Sequence, residues 1–128
     1  AMEHRPVFDT LKEKHAQSII DYIEDHFSKE LHLSDLEKAL HLNRYYLSKT
    51  FKEVTGTTIF NYMLVRRINE AKLLLLLHPH LQITEVSDQV GFKHLSHFSR
   101  LFKKIVGMTP EQYRKQAREQ TNTPMRVK

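Results

Sequence analysis

An internal repeat constrains the fold of this 128-residue chain more than any other feature. Apolar residues at helical spacing recur 50 positions later, and after the next turn the interval becomes 51. Each copy predicts a helix, a short turn, a second helix, a glycine stop and a capped third helix, which together form a helix-turn-helix with a flanking helix. A duplicated helical hairpin that serves only packing is the alternative. The paired positions are Leu33 with Ile83, Leu36 with Val86, Leu40 with Val90, Leu47 with Phe98, Phe51 with Phe102, Lys52 with Lys103, Gly56 with Gly107, Thr58 with Thr109 and Tyr62 with Tyr113.

The same periodicity predicts an all-α fold of about seven helices, because no segment shows the sustained alternation of a strand. Residues 73–77 form an apolar run that could be a strand, but they lie within a helical pattern. The predicted helices cover residues 10–27, 34–40, 44–54, 59–77, 84–91, 95–106 and 110–118. In the third of these, the residues expected to face inward are Leu47, Thr50, Phe51 and Val54.

Capping signals support these helix ends. Ser34 with Glu37 has the spacing of a capping box at the start of the second helix. Asn43 is the expected N-cap of the third helix, and Gly56 and Gly107 are expected to end the third and sixth helices in the left-handed conformation. Further N-caps are predicted at Thr58, and at Thr109 followed by Pro110 and Gln112.

The domain organisation follows from the repeat. We expect residues 1–8 to be an expression scar or a linker, 9–58 the first helix-turn-helix subdomain, 59–77 a long linker helix, 78–118 the second subdomain and 119–128 a flexible tail. A 19-residue helix is about 28 Å long. With the half-widths of two subdomains added, this length matches the spacing of about 34 Å between successive major grooves on one face of DNA.

Charge and composition narrow the function. Residues 1–38 hold nine acidic and five basic residues, whereas residues 39–128 hold six acidic and fifteen basic ones. A basic region that coincides with the repeats points to a polyanion, nucleic acid before membrane, although a solvated basic surface is the alternative. The chain has no cysteine, no apolar run of membrane-spanning length and no signal-peptide pattern, so we expect a cytoplasmic protein.

Chemistry-bearing residues do not assemble into a reaction centre. His78 lies near His80, and His94 near His97, but no carboxylate or cysteine completes a ligand set. The paired carboxylates lie at helix starts, where they favour the helix dipole. We therefore expect no enzyme activity, no metal and no cofactor.

The stretch from Gly91 to Tyr113 combines an aromatic inner face with a basic outer one. Phe98, Phe102 and Ile105 share one helical face and are expected to pack inward. The opposite face presents two hydroxyls and basic side chains, a pattern that suits a DNA major groove. The residues of that face are Ser96, Ser99, Arg100 and Lys103.

The sequence resembles the DNA-binding domain of the AraC/XylS family of bacterial transcription factors, over about residues 15–117. The resemblance rests on three groups of residues. The second copy supplies Gly91-Phe92, the run from Phe98 to Lys104, Gly107-Met108-Thr109-Pro110 and Tyr113-Arg114; the first copy supplies Tyr46-Leu47-Ser48-Lys49, Phe51-Lys52 and Gly56; the linker supplies Arg67-Ile68, Ala71 and Leu74-Leu75.

This resemblance implies seven helices, with the third and sixth inserted in adjacent major grooves. The implied base-reading residues are Arg44, Tyr45, Ser48 and Lys49 in the first copy and Leu95, Ser96, Ser99 and Arg100 in the second. The expected phosphate contacts are Lys52, Arg67, Lys103 and Lys104, with pairing to Glu70 as the alternative for Arg66 and Arg67.

Residue chemistry agrees with several of these roles. An arginine such as Arg100 can bond a guanine edge through two donors, and Tyr45 can pack on a thymine methyl group. We expect Tyr45 to be exposed and Tyr46 to be partly buried. The sequence departs from the family pattern at Glu37, where the family has a small residue, and at His94, a poor N-cap.

The predicted function is sequence-specific binding of double-stranded DNA by the output domain of a bacterial transcription regulator of the activator type. RNA polymerase is a second candidate partner. We expect the fragment to be monomeric, and the full-length protein to dimerise through a domain outside it. The alternatives are a helical protein-interaction module and a nonspecific nucleic-acid binder, which differ in salt dependence and in sequence selectivity.

Overall fold

A computed structural model describes residues 10–122 of the chain and contains seven α-helices in that range. Within it, every residue in regular secondary structure is helical, so the fold is all-α as predicted. The helices are α1 Leu11–His26, α2 Leu33–Leu40, α3 Arg44–Thr55, α4 Ile59–Leu77, α5 Ile83–Gln89, α6 Leu95–Val106 and α7 Pro110–Asn122.

The chain divides into two compact units, residues 1–64 and 65–128, whose boundary falls inside α4. The first unit contains α1, α2, α3 and the start of α4, and the second contains the rest of α4 with α5, α6 and α7. Each unit therefore holds one copy of the sequence repeat. The expected scar or linker at residues 1–8 lies outside the described residues, as do residues 123–128 of the expected tail at 119–128. Residues 119–122 of that tail belong to α7, so this part of the expectation is wrong.

The core of the first unit forms where α1 packs across α3. Leu47 and Phe51 of α3 are fully buried, and the ring of Phe51 meets Tyr62 edge-on at 5.5 Å between centroids. Such an edge-to-face pair is favourable beyond the area it buries. The buried cluster consists of Ala16, Ile19, Ile23, Leu31, Leu36, Leu47, Phe51, Ile59 and Met63.

The core of the second unit is a chain of aromatic rings. The ring centroid of Phe98 lies 5.3 Å from that of Phe92 and 5.7 Å from that of Phe102. The ring centroids of Phe102 and Tyr113 are also 5.7 Å apart. Phe98 and Phe102 are fully buried, so two residues of α6 fix that helix against the unit. Arg114 of α7 donates hydrogen bonds to the carbonyls of Pro79 and Leu81 and so holds the loop between α4 and α5.

Most predicted caps are present. The Asn43 side chain accepts a hydrogen bond from the N–H of Tyr45 at 2.8 Å, and Thr58 accepts one from Asn61 at 3.1 Å. Thr109 and Gln112 form a reciprocal capping box at the start of α7, at 2.9 and 3.1 Å. The left-handed stops are Gly56 after α3, with φ 80°, and Gly107 after α6, with φ 94°.

The predicted capping box of Ser34 and Glu37 is wrong. Helix α2 begins one residue earlier, at Leu33, and the carboxylate of Asp35 accepts from the N–H of His32 at 3.3 Å. Asp35 is the N3 residue of this helix, so it takes the role that the sequence pattern gave to Glu37. Glu37 is thereby available for a partner elsewhere, namely Arg44.

Three further expectations need correction. Helix α5 begins at Ile83 and ends at Gln89, and α7 continues to Asn122, four residues beyond the predicted end. Val54 and Ile105, expected to face inward, are 40% and 41% exposed. These two residues are equivalent in the repeat and lie in the last turn of α3 and α6, beyond the last fully buried residue of each helix.

Candidate nucleic-acid interface

The outer face of α3 is built on its two buried anchors. Leu47 and Phe51 fix the helix, which leaves the side chains on its other face in solvent. Tyr45 is 73% exposed. All four residues predicted to read bases in this copy are exposed, namely Arg44, Tyr45, Ser48 and Lys49. The α3 surface that we define by these four residues can therefore reach a partner without unfolding the unit.

The outer face of α6 is arranged in the same way over Phe98 and Phe102. Leu95 is 42% exposed, Ser96 and Arg100 are exposed and Ser99 is half-buried. The Arg100 Nε donates to the carbonyl of Ser96 at 3.3 Å, which lays the guanidinium along the helix. The α6 surface, defined as Leu95, Ser96, Ser99 and Arg100, thus brings all four predicted residues to one face.

Tyr46 and Tyr45, adjacent in sequence, have separate roles. The Tyr46 hydroxyl lies 2.8 Å from His15 Nδ1 of α1, and the two rings meet edge-on at 5.4 Å. Tyr46 is half-buried by this contact, whereas Tyr45 points away from the core. Both expectations for these tyrosines are confirmed, and only Tyr45 belongs to the α3 surface.

An ion pair between α2 and α3 lies beside the α3 surface. The Glu37 carboxylate accepts hydrogen bonds from Arg44 Nη2 at 2.9 Å and Arg44 Nε at 3.1 Å, and from the Arg44 backbone N–H at 2.9 Å. The side chain of Glu37 is 27% exposed and that of Arg44 57%. Hydrogen bonding from the Arg44 side chain, then from its backbone, holds the pKa of Glu37 below its usual value.

Sequence reasoning missed this pair because Glu37 was assigned to a helix cap. The two residues are seven positions apart across the turn between α2 and α3, outside the spacings at which one helix pairs its own side chains. Opposite charges flanking a predicted turn were the signal that could have found it.

The predicted phosphate contacts divide into two groups. Lys52, Lys103 and Lys104 are exposed, in the last turns of α3 and α6. Arg67 is only 7% exposed, and its guanidinium carbon lies 5.6 Å from the centre of the Phe92 ring. Burial lowers the pKa of Arg67, and its packing against Phe92 argues against the predicted phosphate contact. The neighbouring Arg66 pairs with Glu70 at 3.0 Å.

Two other features bear on the possible function classes. Within residues 10–122, no three histidine, aspartate or glutamate side chains are placed so that they could hold a metal ion. No helix in this described part is long and apolar enough to cross a bilayer.

Comparison with known proteins places this geometry in a family. A family model for a helix-turn-helix domain matches residues 36–116. The HTH-type transcriptional regulator YdeC of Bacillus subtilis is 35% identical over 107 residues, which make up 84% of this chain and 36% of YdeC. The C-terminal domain of the two-component response regulator yesN from Fusobacterium nucleatum superposes with a TM-score of 0.72 at 37% identity, covering 79% of this chain and 98% of that domain.

A transcriptional regulator from Chromobacterium violaceum, described as containing an AraC-type DNA-binding domain, superposes with a TM-score of 0.76 at 25% identity. The match covers 82% of this chain and 93% of that one. The chain belongs to the AraC/XylS family. As an AraC/XylS-family DNA-binding domain, it binds DNA sequence-specifically in transcription regulation.

The chain spans less than half the length of the curated relatives YdeC and YobQ. It covers 36% of YdeC and 44% of YobQ, another HTH-type regulator of Bacillus subtilis. The partners and regulation of a whole protein therefore belong to the proposals that follow.

Proposed function

We propose that α3 and α6 each insert into the major groove and that they occupy adjacent grooves of one duplex. A helix fits the major groove when its outer face carries donors for base edges and its inner face is anchored. The α3 and α6 surfaces both meet this description. We call the two recognition helices, α3 and α6, the first and the second reader. The 19 residues of α4 correspond to about 28 Å of helix, a length suited to joining two readers that bind about 34 Å apart.

The observation that carries this proposal is the equivalence of the two outer faces. Lys49 and Arg100 occupy the same position of the repeat and are both exposed, while the neighbouring pair Leu47 and Phe98 is fully buried. A duplicated hairpin used only for packing would not require exposed cations at equivalent positions. Two equivalent basic faces are suited to binding two successive grooves of a polyanionic double helix.

We assign base readout to the α3 and α6 surfaces and phosphate contacts to three lysines. Lys52 and Lys103 are equivalent and lie at the far end of each recognition helix from Arg44 and Leu95. Lysine is a flexible point donor that suits phosphate oxygens, which position the protein without reading sequence. Lys104 joins this group, and Arg67 does not, because its side chain is buried.

We propose that the whole protein is a cytoplasmic bacterial regulator that activates transcription, and that the domain is its output domain. In this role the domain needs no catalytic group and no cofactor, and a surface outside the DNA interface would contact RNA polymerase. The fragment would bind as a monomer, since it holds two readers, and any dimerisation would come from a domain outside it. The name of one relative, the F1 operon positive regulatory protein of Yersinia pestis, supports the activator role.

The test is a selection of duplexes from a randomised library, followed by titration of the selected and scrambled duplexes over a salt series. We expect the selected duplex to bind about 10³-fold more tightly or better. The logarithm of affinity should also fall linearly with that of salt concentration.

Equal affinity for both duplexes would leave only nonspecific binding. Weak binding without salt dependence would instead favour the protein-interaction alternative. Either result would overturn the proposed function.

A further inference from the structure

The two copies of the repeat differ at one pair of positions beside their recognition helices. In the first unit Glu37 holds Arg44, the first residue of α3. The repeat aligns these residues with Ser87 and Leu95 of the second unit. Ser87 is 3% exposed and Leu95 is apolar, so the second copy cannot form this pair. Of the two readers, only the first is therefore held by an ion pair of this kind.

Glu37 binds one edge of the Arg44 guanidinium. Glu37 Oε1 accepts from Nε at 3.1 Å and from Nη2 at 2.9 Å. A guanidinium has five N–H donors in a fixed planar fork. The edge formed by Nη1 and the second hydrogen of Nη2 is not used in these bonds with Glu37. Two parallel donors on such an edge match the O6 and N7 acceptors of guanine.

We propose that Glu37 is a specificity-determining positioning residue, which orients Arg44 so that its terminal edge reads a guanine in the groove occupied by α3. This inference rests on the proposed function, in which Arg44 faces DNA. A long arginine side chain loses rotamer freedom when it binds a base. Glu37 restricts that freedom before binding, and it holds the plane of the fork in one orientation.

The charge of Glu37 gives this role a signature that a purely structural role lacks. A carboxylate beside the α3 surface repels phosphate, so it opposes binding to every sequence. If Glu37 acts by aiming Arg44, its neutralisation should weaken the choice of base and strengthen nonspecific binding. If Glu37 only stabilised the fold, its neutralisation should weaken binding to all sequences.

The experiment compares Glu37→Gln with wild type on the selected duplex and on variants with each base pair replaced in turn. The glutamine side chain keeps an oxygen that can accept from the Arg44 backbone N–H, but it lacks the charge that holds the fork. We expect the preference for one G·C pair to fall about fivefold or more, with other positions unchanged. Affinity for scrambled DNA should rise.

Two controls separate aiming from simple charge removal. Glu85→Gln removes the same charge from the second unit, where Glu85 is exposed, and should change no base preference. Arg44→Ala should abolish the preference at the G·C pair affected by Glu37→Gln. In the Arg44→Ala background, Glu37→Gln should then have no further effect at that position.

An unchanged G·C preference in Glu37→Gln, or an effect that persists without Arg44, would overturn the inference. If Glu37→Gln does not fold, as judged by circular dichroism, Arg44→Lys decides, since it keeps the charge but lacks the fork. Retained G·C preference in Arg44→Lys would equally overturn the inference. In all these outcomes wild type still prefers the selected duplex, whereas failure of the proposed function would remove that preference altogether.

Discussion

Lys49 and Arg100 hold equivalent places on the two readers but offer different hydrogen-bond geometry. The lysine ammonium is a compact donor on a flexible stem, whereas the guanidinium presents paired donors in a plane. Arg100 is also held along α6 by its bond to the Ser96 carbonyl. At this pair of positions the stricter choice of base should therefore be at Arg100 and the looser one at Lys49.

Arg100→Ala should relax the base preference at one position and cost about 1–3 kcal/mol of binding free energy on the selected duplex. Competition titrations against single-base variants of that duplex measure both effects. Lys103→Ala is the matched control, because this exposed residue of the same helix is assigned to phosphate. It should weaken binding to all sequences alike and reduce the salt slope by about one.

Two results would contradict the assignment of Arg100 to base readout and of Lys103 to phosphate. One is an Arg100→Ala protein that loses affinity equally for every duplex. The other is a Lys103→Ala protein whose loss depends on the base sequence.

The ion pair of Glu37 also predicts a pH dependence of stability. The pKa of Glu37 is lowered from 4.5, because Arg44 donates to the carboxylate. A lowered pKa means that the stabilisation is complete above the unfolded value of 4.5 and is lost as the pH falls through the lower folded value. Glu37→Gln should remove this component, so the unfolding free energies of variant and wild type should converge below pH 4.5.

Urea unfolding followed by circular dichroism between about pH 3 and 7 tests this, with Glu85→Gln as the control for a neutralised exposed carboxylate. A difference between Glu37→Gln and wild type that stays constant over the whole range would show that the carboxylate charge contributes nothing.

At the scale of helices, sequence periodicity located all seven elements, because each carries apolar residues at one face and a cap or stop at its ends. The sequence-based predictions were wrong where two nearby residues fitted the same local pattern equally well. Asp35 and Glu37 both lie near the start of α2; the helix begins at Leu33, which makes Asp35 the N3 residue, and Glu37 bonds Arg44 across the turn instead. Arg67 lies beside Arg66, and the ring of Phe92, 25 residues later, determines which of them is buried.

The turn between α2 and α3 carries strain that the second copy avoids. His41 has φ 56° and ψ 40°, the left-handed conformation, and the equivalent residue in the repeat is Gly91, with φ 104°. This conformation costs a residue with a Cβ about 1–2 kcal/mol. Glycine avoids that cost, but the larger conformational freedom of its unfolded chain cancels part of the gain. His41→Gly should therefore stabilise the protein by roughly 0.5–1 kcal/mol.

Chemical denaturation measures this change, and Gly91→Ala provides the reciprocal control, which should destabilise. A destabilised His41→Gly protein would mean that the histidine side chain contributes more than the strain it causes.

At the scale of the whole molecule, the proposed function requires two readers that meet one duplex. Each unit by itself offers a small basic face, and a single module of this kind has limited affinity and selectivity. Linking two modules turns the second contact into an intramolecular event, which raises affinity without a new type of contact. Both surfaces should thus be needed for tight binding.

Hydroxyl-radical footprinting on the selected duplex shows whether both readers bind it at once. We expect two protected patches on one face of the DNA, separated by about one helical turn, roughly 10 base pairs. Arg100→Ala should weaken protection mainly in one patch, and Arg44→Ala mainly in the other. A single patch, or two patches on opposite faces of the duplex, would show that α3 and α6 do not occupy adjacent grooves.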